Sequence, residues 1–332
     1  MIVSFLFKGP LVWESTVVKH RAAPEDERPT TTPSGNPAMP HAELIHHPNF
    51  KAWFGDWTKG DGNHSQVLEA GSGEPARVSA SPDPRSRRTI GSGQAKVLYH
   101  GTEFKFGEHK DLDTSDTPDS SLKFGRGIYM TEDHVAAKGY SGHNPKYART
   151  GKEEPNVQHL YANIRNPYDL DEPINDDHMG KLLDTLKKRN AGADSSNGYN
   201  QPPGVDHAAV RQSIERQYKG SGTRGAPTGT NYWLHRDLGL KYGGTEVNKA
   251  LRDMGHDGIT HMDDVHVDTR ESGAHRVWIA FHAHQVKHAA NEGTFDPNES
   301  NMYKAAVSRG RGGMIVSFLF KAIDKPKKRG RR

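Results

Sequence analysis

The sequence predicts an α+β domain in which short strands and helices are mixed without a regular strand–helix–strand alternation. Three observations predict it. Runs of strand type, such as VLYHGT (97–102) and HRVWIAF (275–281), are short. Residues 176–189 and 206–219 have the apolar spacing of amphipathic helices. No periodic strand–helix unit links the two kinds of segment, as a doubly wound sheet would require. The chain has 332 residues, enough for one large domain or two of ordinary size.

Taken in order, the first element is ELIHHPNFKAWFGDW (43–57). Phe50, Trp53, Phe54 and Trp57 fall at i, i+3, i+4 and i+7, one face of a short helix docked on the main core. Residues 20–42 and 58–95 are rich in Pro, Gly, Ser and charge and read as linkers or surface loops. Val97–Thr102 is a strand that runs into a glycine turn. Phe124–Met130 (FGRGIYM) reads as a strand whose glycines let something approach the backbone closely. Thr131 then caps a helix, with Glu132 and Asp133 in the first turn, where the helix dipole favours acids. Val157–Ile164 is a strand ending at Asn166-Pro167. The helices 176–189 and 206–219 are separated by the Gly/Asn/Pro-rich 190–204. Thr245 caps a further helix that stops at Gly255, and His256–Met262 and Arg276–Phe281 are the last strands.

Composition narrows the classes of function. Lys and Arg number 45 and Asp and Glu 41, a net +4. The last twelve residues (KAIDKPKKRGRR) alone carry +6, leaving −2 for the rest. The body of the chain is therefore no basic nucleic-acid binder; only the 321–332 tail has that charge, as a solvated end or an electrostatic contact. With no cysteine there is no disulfide, thiolate nucleophile or thiolate zinc site. Hydrophobic residues are 33% and the mean hydropathy is −0.87, lean enough that sizeable stretches are loop. No run approaches the length of a membrane span. Met1–Phe7 is apolar but lacks a preceding charged region, so no signal peptide is read. MIVSFLFK occurs at Met1–Lys8 and again at Met314–Lys321, either as two strands that pair or as a boundary tag in a mosaic gene. The expected organisation is a flexible 1–42 carrying the tag, a domain over 43–300 with loops at 58–95 and 190–204, and a 301–332 linker, second tag and basic tail.

The residues most able to do chemistry lie in LYHGT (98–102) and FGRGIYMTEDHVAAKGYS (124–141). His100 stands at a strand end beside Gly101, whose missing side chain gives a ligand access to the backbone. Tyr129 and Tyr140 bracket the next helix and can face each other across a cleft. Such a pair suits a flat cationic ring through stacking and cation–π attraction.

Together, His-Gly-Thr at a strand end, Gly-x-Gly-Ile-Tyr, and a second Tyr eleven residues on resemble the NAD-binding core of ADP-ribosyltransferases of the class shared by diphtheria toxin and the poly(ADP-ribose) polymerases. The layout is similar above all to the ADP-ribosyltransferase-like domain of phage and mobile-element polyvalent proteins. The matching stretches run in order through NFKAWFGDW (49–57), the two motifs, LRDMGHDGITH (251–261) and WIAFHAHQVKHAANEGTFDPN (278–298). The resemblance implies a split antiparallel β-sheet core with peripheral helices and an NAD cleft. It implies that His100 orients a ribose hydroxyl, that the Gly101 backbone holds the nicotinamide carboxamide, and that Tyr129 and Tyr140 sandwich the ring. Thr102 and Gly127 complete the implied NAD-binding set. NAD is then the substrate, and its ADP-ribose passes to a host protein or nucleic acid; an NAD glycohydrolase and a catalytically silent binding module are the alternatives. The implied setting is the host bacterial cytoplasm, with delivery by a virion and synthesis inside the cell both open.

The third catalytic position departs from the pattern. Toxin-like enzymes have a Glu at the start of the last core strand; here that strand is HRVWIAF, and Val277 cannot replace it. Gln285 at the strand's other end and Glu271 in the loop before it are the candidates. A metal-dependent hydrolase is a further alternative. His256, His261 and His266 lie five apart among four Asp in HDGITHMDDVHVD (256–268), and His284 and His288 would share a helix face. Five-residue spacing turns the first three to different faces, so no metal ligand is assigned.

Overall fold

The computed structural model describes residues 29–32, 37–59, 62–69, 93–102, 123–143, 156–190, 230–263, 275–291, 293 and 295–303, with 209, 212 and 213. Both MIVSFLFK segments, the basic tail, the 190–204 loop beyond Asn190 and nearly all of the expected 206–219 helix lie outside the described residues.

Seven strands form one mixed sheet: β1 (Leu98–Thr102), β2 (Ile128–Thr131), β3 (Asn156–Ala162), β4 (Pro167–Asp169), β5 (Gly258–Asp263), β6 (His275–Ala280) and β7 (Val286–His288). Their order is β4-β5-β6-β2-β1-β3-β7. Neighbours are antiparallel except β4 and β5, which run parallel. β1 pairs with β3 over five residues and β2 with β6 over four, yet β1 and β2 meet only at Tyr99 and Thr131. Beyond that pair the sheet splits, and the site lies in the split.

Period-two alternation feeds two cores, one on each face. Trp278 and Ala280 join Leu98, Ile128, Met130 and Leu160 on one face. Val277, Ile279 and Phe281 join Tyr168, Leu170 and Ile259 on the other. The first face is covered by α1 (His41–Leu44) and α2 (Pro48–Phe54). Phe50, Trp53 and Phe54, spaced as the sequence predicts, are fully buried there, each contributing about 1.5–3 kcal/mol by burial. His47 caps α2, Pro48 fills its first position, and Gly55 ends it with φ +94°, where a Cβ would meet the His64 backbone. The second face is covered by α4 (Asp176–Asn190), α5 (Asn231–Tyr242) and α6 (Gly244–Asp253). Among the described residues no helix is long and apolar enough to cross a membrane.

Several expectations are corrected. Part of the 58–95 loop is core: Ser65, Gln66, Val67 and Leu68 are buried, and Ser65 Oγ donates to the Ala162 carbonyl at 2.7 Å. The strand expected at 124–130 begins only at Ile128, because Gly125 has φ +76° and breaks the ladder. The cap after β2 is Asp133, whose Oδ1 accepts from Val135 N and Ala136 N at 2.7 and 3.0 Å; Thr131 Oγ1 instead receives Asp133 N. That helix, α3, is only His134–Lys138, and Tyr140 lies in a wider turn, Gly139–His143, that follows it. Gly243 rather than Thr245 precedes α6, and Thr245 Oγ1 accepts from Arg126 N. His284 and His288 share no helix, since His284 lies in a tight turn and His288 in β7.

Candidate active site

The split is lined by residues that local structure forces into place. Gly125 sits so close to α6 that a Cβ would come within 2.2 Å of the Gly244 carbonyl carbon. Asn248, fully buried on α6, donates to the carbonyls of Phe124 and Arg126 at 2.7 and 2.9 Å, while its Oδ1 meets His235 Nε2 at 2.8 Å. Tyr129 OH closes the same turn, donating to the Gly125 carbonyl at 2.7 Å and accepting from Phe124 N at 3.1 Å. The 124–127 turn is thus fixed from two sides before any ligand arrives.

A cavity of about 480 Å³ opens beside it. It brings together His100, Gly101, Gly127, Tyr129 and Tyr140, five of the residues expected from the sequence. Thr102, the last residue of β1, does not line it. His100 Nδ1 lies 2.6 Å from the Tyr129 carbonyl, bridging the two strands where their ladder has stopped. A carbonyl only accepts, so the proton sits on Nδ1 and Nε2 is the accepting nitrogen. Burial holds the His100 imidazole below its usual pKa against that hydrogen bond, and the ring is neutral at pH 7. Gly101 serves packing: a Cβ there would lie 1.9 Å from the Ala137 carbonyl oxygen, so its missing side chain lets α3 press on β1. Tyr140 is 49% exposed. Such burial as its phenol has, with the Asp263 charge nearby, pushes its pKa up to about 12.

Three further lining residues were not singled out for this cleft from the sequence: Lys123, His261 and Asp263. Lys123 Nζ lies 3.5 Å from Asp263 Oδ1 and over the rings of Phe124 and Tyr232, at 5.4 and 5.3 Å. His261 is buried, its ring 4.7 Å from that of Phe124, and desolvation pulls its pKa down to about 4. The signal was present in GITHMD, where His261 and Asp263 are two apart and so share a strand face.

The structure does not bring Gln285 to the cleft. Its Oε1 accepts from Phe281 N and His282 N at 3.1 and 2.8 Å, and its Nε2 donates to the carbonyls of Asn163 and Asp257 at 3.0 and 2.9 Å. All its hydrogen-bonding capacity is spent tying β6 to the neighbouring loops. Glu271 and His266 lie outside the described residues. His256 meets His178, their Nε2 atoms 3.1 Å apart, and its Nδ1 lies 3.1 Å from the Asn166 carbonyl. Among the described residues no three His, Asp or Glu side chains converge as metal ligands.

The structure is thus a split mixed sheet flanked by helices, with the His-Gly and Gly-Ile-Tyr strands side by side at the split. Residues 91–295, well over half of the chain, match the family described as ADP-ribosyltransferase in polyvalent proteins, and the chain belongs to that family. No curated protein and no solved structure is significantly similar to it. ADP-ribosyltransferases as a class take NAD as substrate.

Proposed function

We propose that this chain transfers ADP-ribose from NAD to a macromolecular acceptor, using the cleft between β1 and β2, with residues 43–300 acting as one catalytic domain. The observation that supports the reading is the convergence of His100, Gly101, Tyr129 and Tyr140 on one 480 Å³ cavity at the point where the sheet splits. Two phenol rings on its wall suit the flat, cationic nicotinamide. The accepting Nε2 of a neutral His100 suits a ribose hydroxyl donor. When the glycosidic bond breaks, the ring leaves neutral and positive charge builds on the ribose, where preorganised acceptors lower the barrier. The acceptor is a host protein or nucleic acid, in keeping with a phage- or mobile-element effector, and the cationic 321–332 tail would add affinity for an acidic partner.

Incubation with NAD labelled in the adenylate half and a bacterial lysate tests this. Label on a discrete macromolecule, absent with Tyr129→Ala, is the expected result. Nicotinamide release without transferred label would make the protein an NAD glycohydrolase, and NAD binding without release would make it a binding module.

A further inference from the structure

β6 turns Val277 to the cleft, where the toxin-like pattern has a carboxylate. A neutral imidazole and two phenols leave the charge that builds on the ribose without a counter-charge. One carboxylate among the described residues lines the cavity, that of Asp263, the last residue of β5. β5 lies antiparallel beside β6 with His261 opposite Val277 and Asp263 opposite His275. Paired residues share a sheet face, so Asp263 and Val277 stand on the same wall, one strand apart.

We propose that Asp263 is the catalytic carboxylate of this cleft, supplying from β5 the negative charge that Val277 on β6 cannot. The assignment rests on reading the cleft as the NAD site. The Asp263 side chain is only 8% exposed, although it sits on a cavity wall. An acid so buried is costly unless partnered, and the Lys123 ammonium at 3.5 Å, which also lines the cavity, is one such partner. Asp263 and Tyr140 line the same cavity, so the carboxylate shares it with the ring expected to cover the nicotinamide. In the reaction the C1′–N bond breaks and its electron pair leaves with neutral nicotinamide. A lone pair of the acceptor forms the new bond at C1′, and the acceptor's proton passes to solvent. Asp263 makes no covalent bond; it accepts a hydrogen bond from a ribose hydroxyl and opposes the positive charge.

Asp263→Asn and Asp263→Glu, compared with wild type for nicotinamide release and for NAD affinity by calorimetry, test the assignment. The expected result is kcat lowered a hundredfold or more in Asp263→Asn with Kd for NAD within threefold, and recovery of at least tenfold in Asp263→Glu. A structural role would instead weaken binding and turnover together, and that result overturns the proposal. If Asp263→Asn does not fold, Asp263→Ser assayed with added formate replaces it: restored release supports the role, and no restoration overturns it. Release that survives Asp263→Asn and disappears in Glu271→Gln would move the role to Glu271. A wild type that binds no NAD overturns the reading of the cleft as well, whereas NAD binding without nicotinamide release, or equal activity in wild type and Asp263→Asn, overturns this assignment alone.

Discussion

Tyr129→Phe separates two jobs of one side chain. Its hydroxyl makes two hydrogen bonds within the 124–129 turn, to the Gly125 carbonyl at 2.7 Å and from Phe124 N at 3.1 Å, while its ring forms cavity wall. Removing the hydroxyl loses both bonds and strands a partly buried amide and a carbonyl. At about 0.5–1.5 kcal/mol for each bond, the loss is about 2 kcal/mol. For a domain of this size that is a fall in Tm of about 4–8 °C. The ring that would stack on nicotinamide is retained, so NAD turnover should fall less than tenfold in Tyr129→Phe. In Tyr129→Ala, which loses the ring too, it should fall a hundredfold or more. Thermal melts and nicotinamide-release rates on the same preparations decide. A Tm within 1 °C of wild type would refute the bonding role of the hydroxyl, and equal losses of turnover in the two variants would refute the separate role of the ring.

Two other consequences concern stability. Gln285→Leu removes four hydrogen bonds; Phe281 N and the Asp257 carbonyl keep the 3.4 Å bond between them, while His282 N and the Asn163 carbonyl lose these partners. At about 1–3 kcal/mol for each of those two groups, the variant should melt at least about 5 °C below wild type, and a melt within about 2 °C would contradict the bonding described. His288 and His261 are buried and neutral, with desolvation lowering their pKa values to about 3 and about 4 from the usual 6.5. Their depressed folded values mean that the unfolded chain binds protons first, so the stability they contribute is present above pH 6.5 and lost as the pH falls toward about 4 for His261 and about 3 for His288. At pH 5 the loss is about 2 kcal/mol for each, and a Tm at pH 5 within 2 °C of that at pH 7.5 would contradict it.

The fold was legible where side chains carry the pattern. The i, i+3, i+4 aromatics of α2 and the alternation of HRVWIAF gave their elements directly. It was illegible where backbone or distant partners decide. α5 has Gly239 in its interior and leaves Leu240 exposed, which blurs its apolar stripe. β4 and β7 are three-residue strands that hold only through their neighbours. Residues 65–68 read as polar loop because the partner of Ser65 is Ala162, nearly a hundred residues away. The site divides in the same way. His100, Gly101, Tyr129 and Tyr140 belong to two compact motifs, and the structure gathers them. Asp263 was visible only as one of four acids in a histidine-rich stretch, because its relevance depends on the β5–β6 register. Gln285 drew notice through its motif, and its neighbours reveal a structural tie instead.

The most direct measurement for the cleft itself is nicotinamide release from NAD by wild type and His100→Ala at saturating NAD. Loss of the accepting imidazole should lower the rate a hundredfold or more, about 3 kcal/mol of transition-state stabilisation. A rate within threefold of wild type, in a variant that melts normally, would contradict the claim that the bond is broken between β1 and β2.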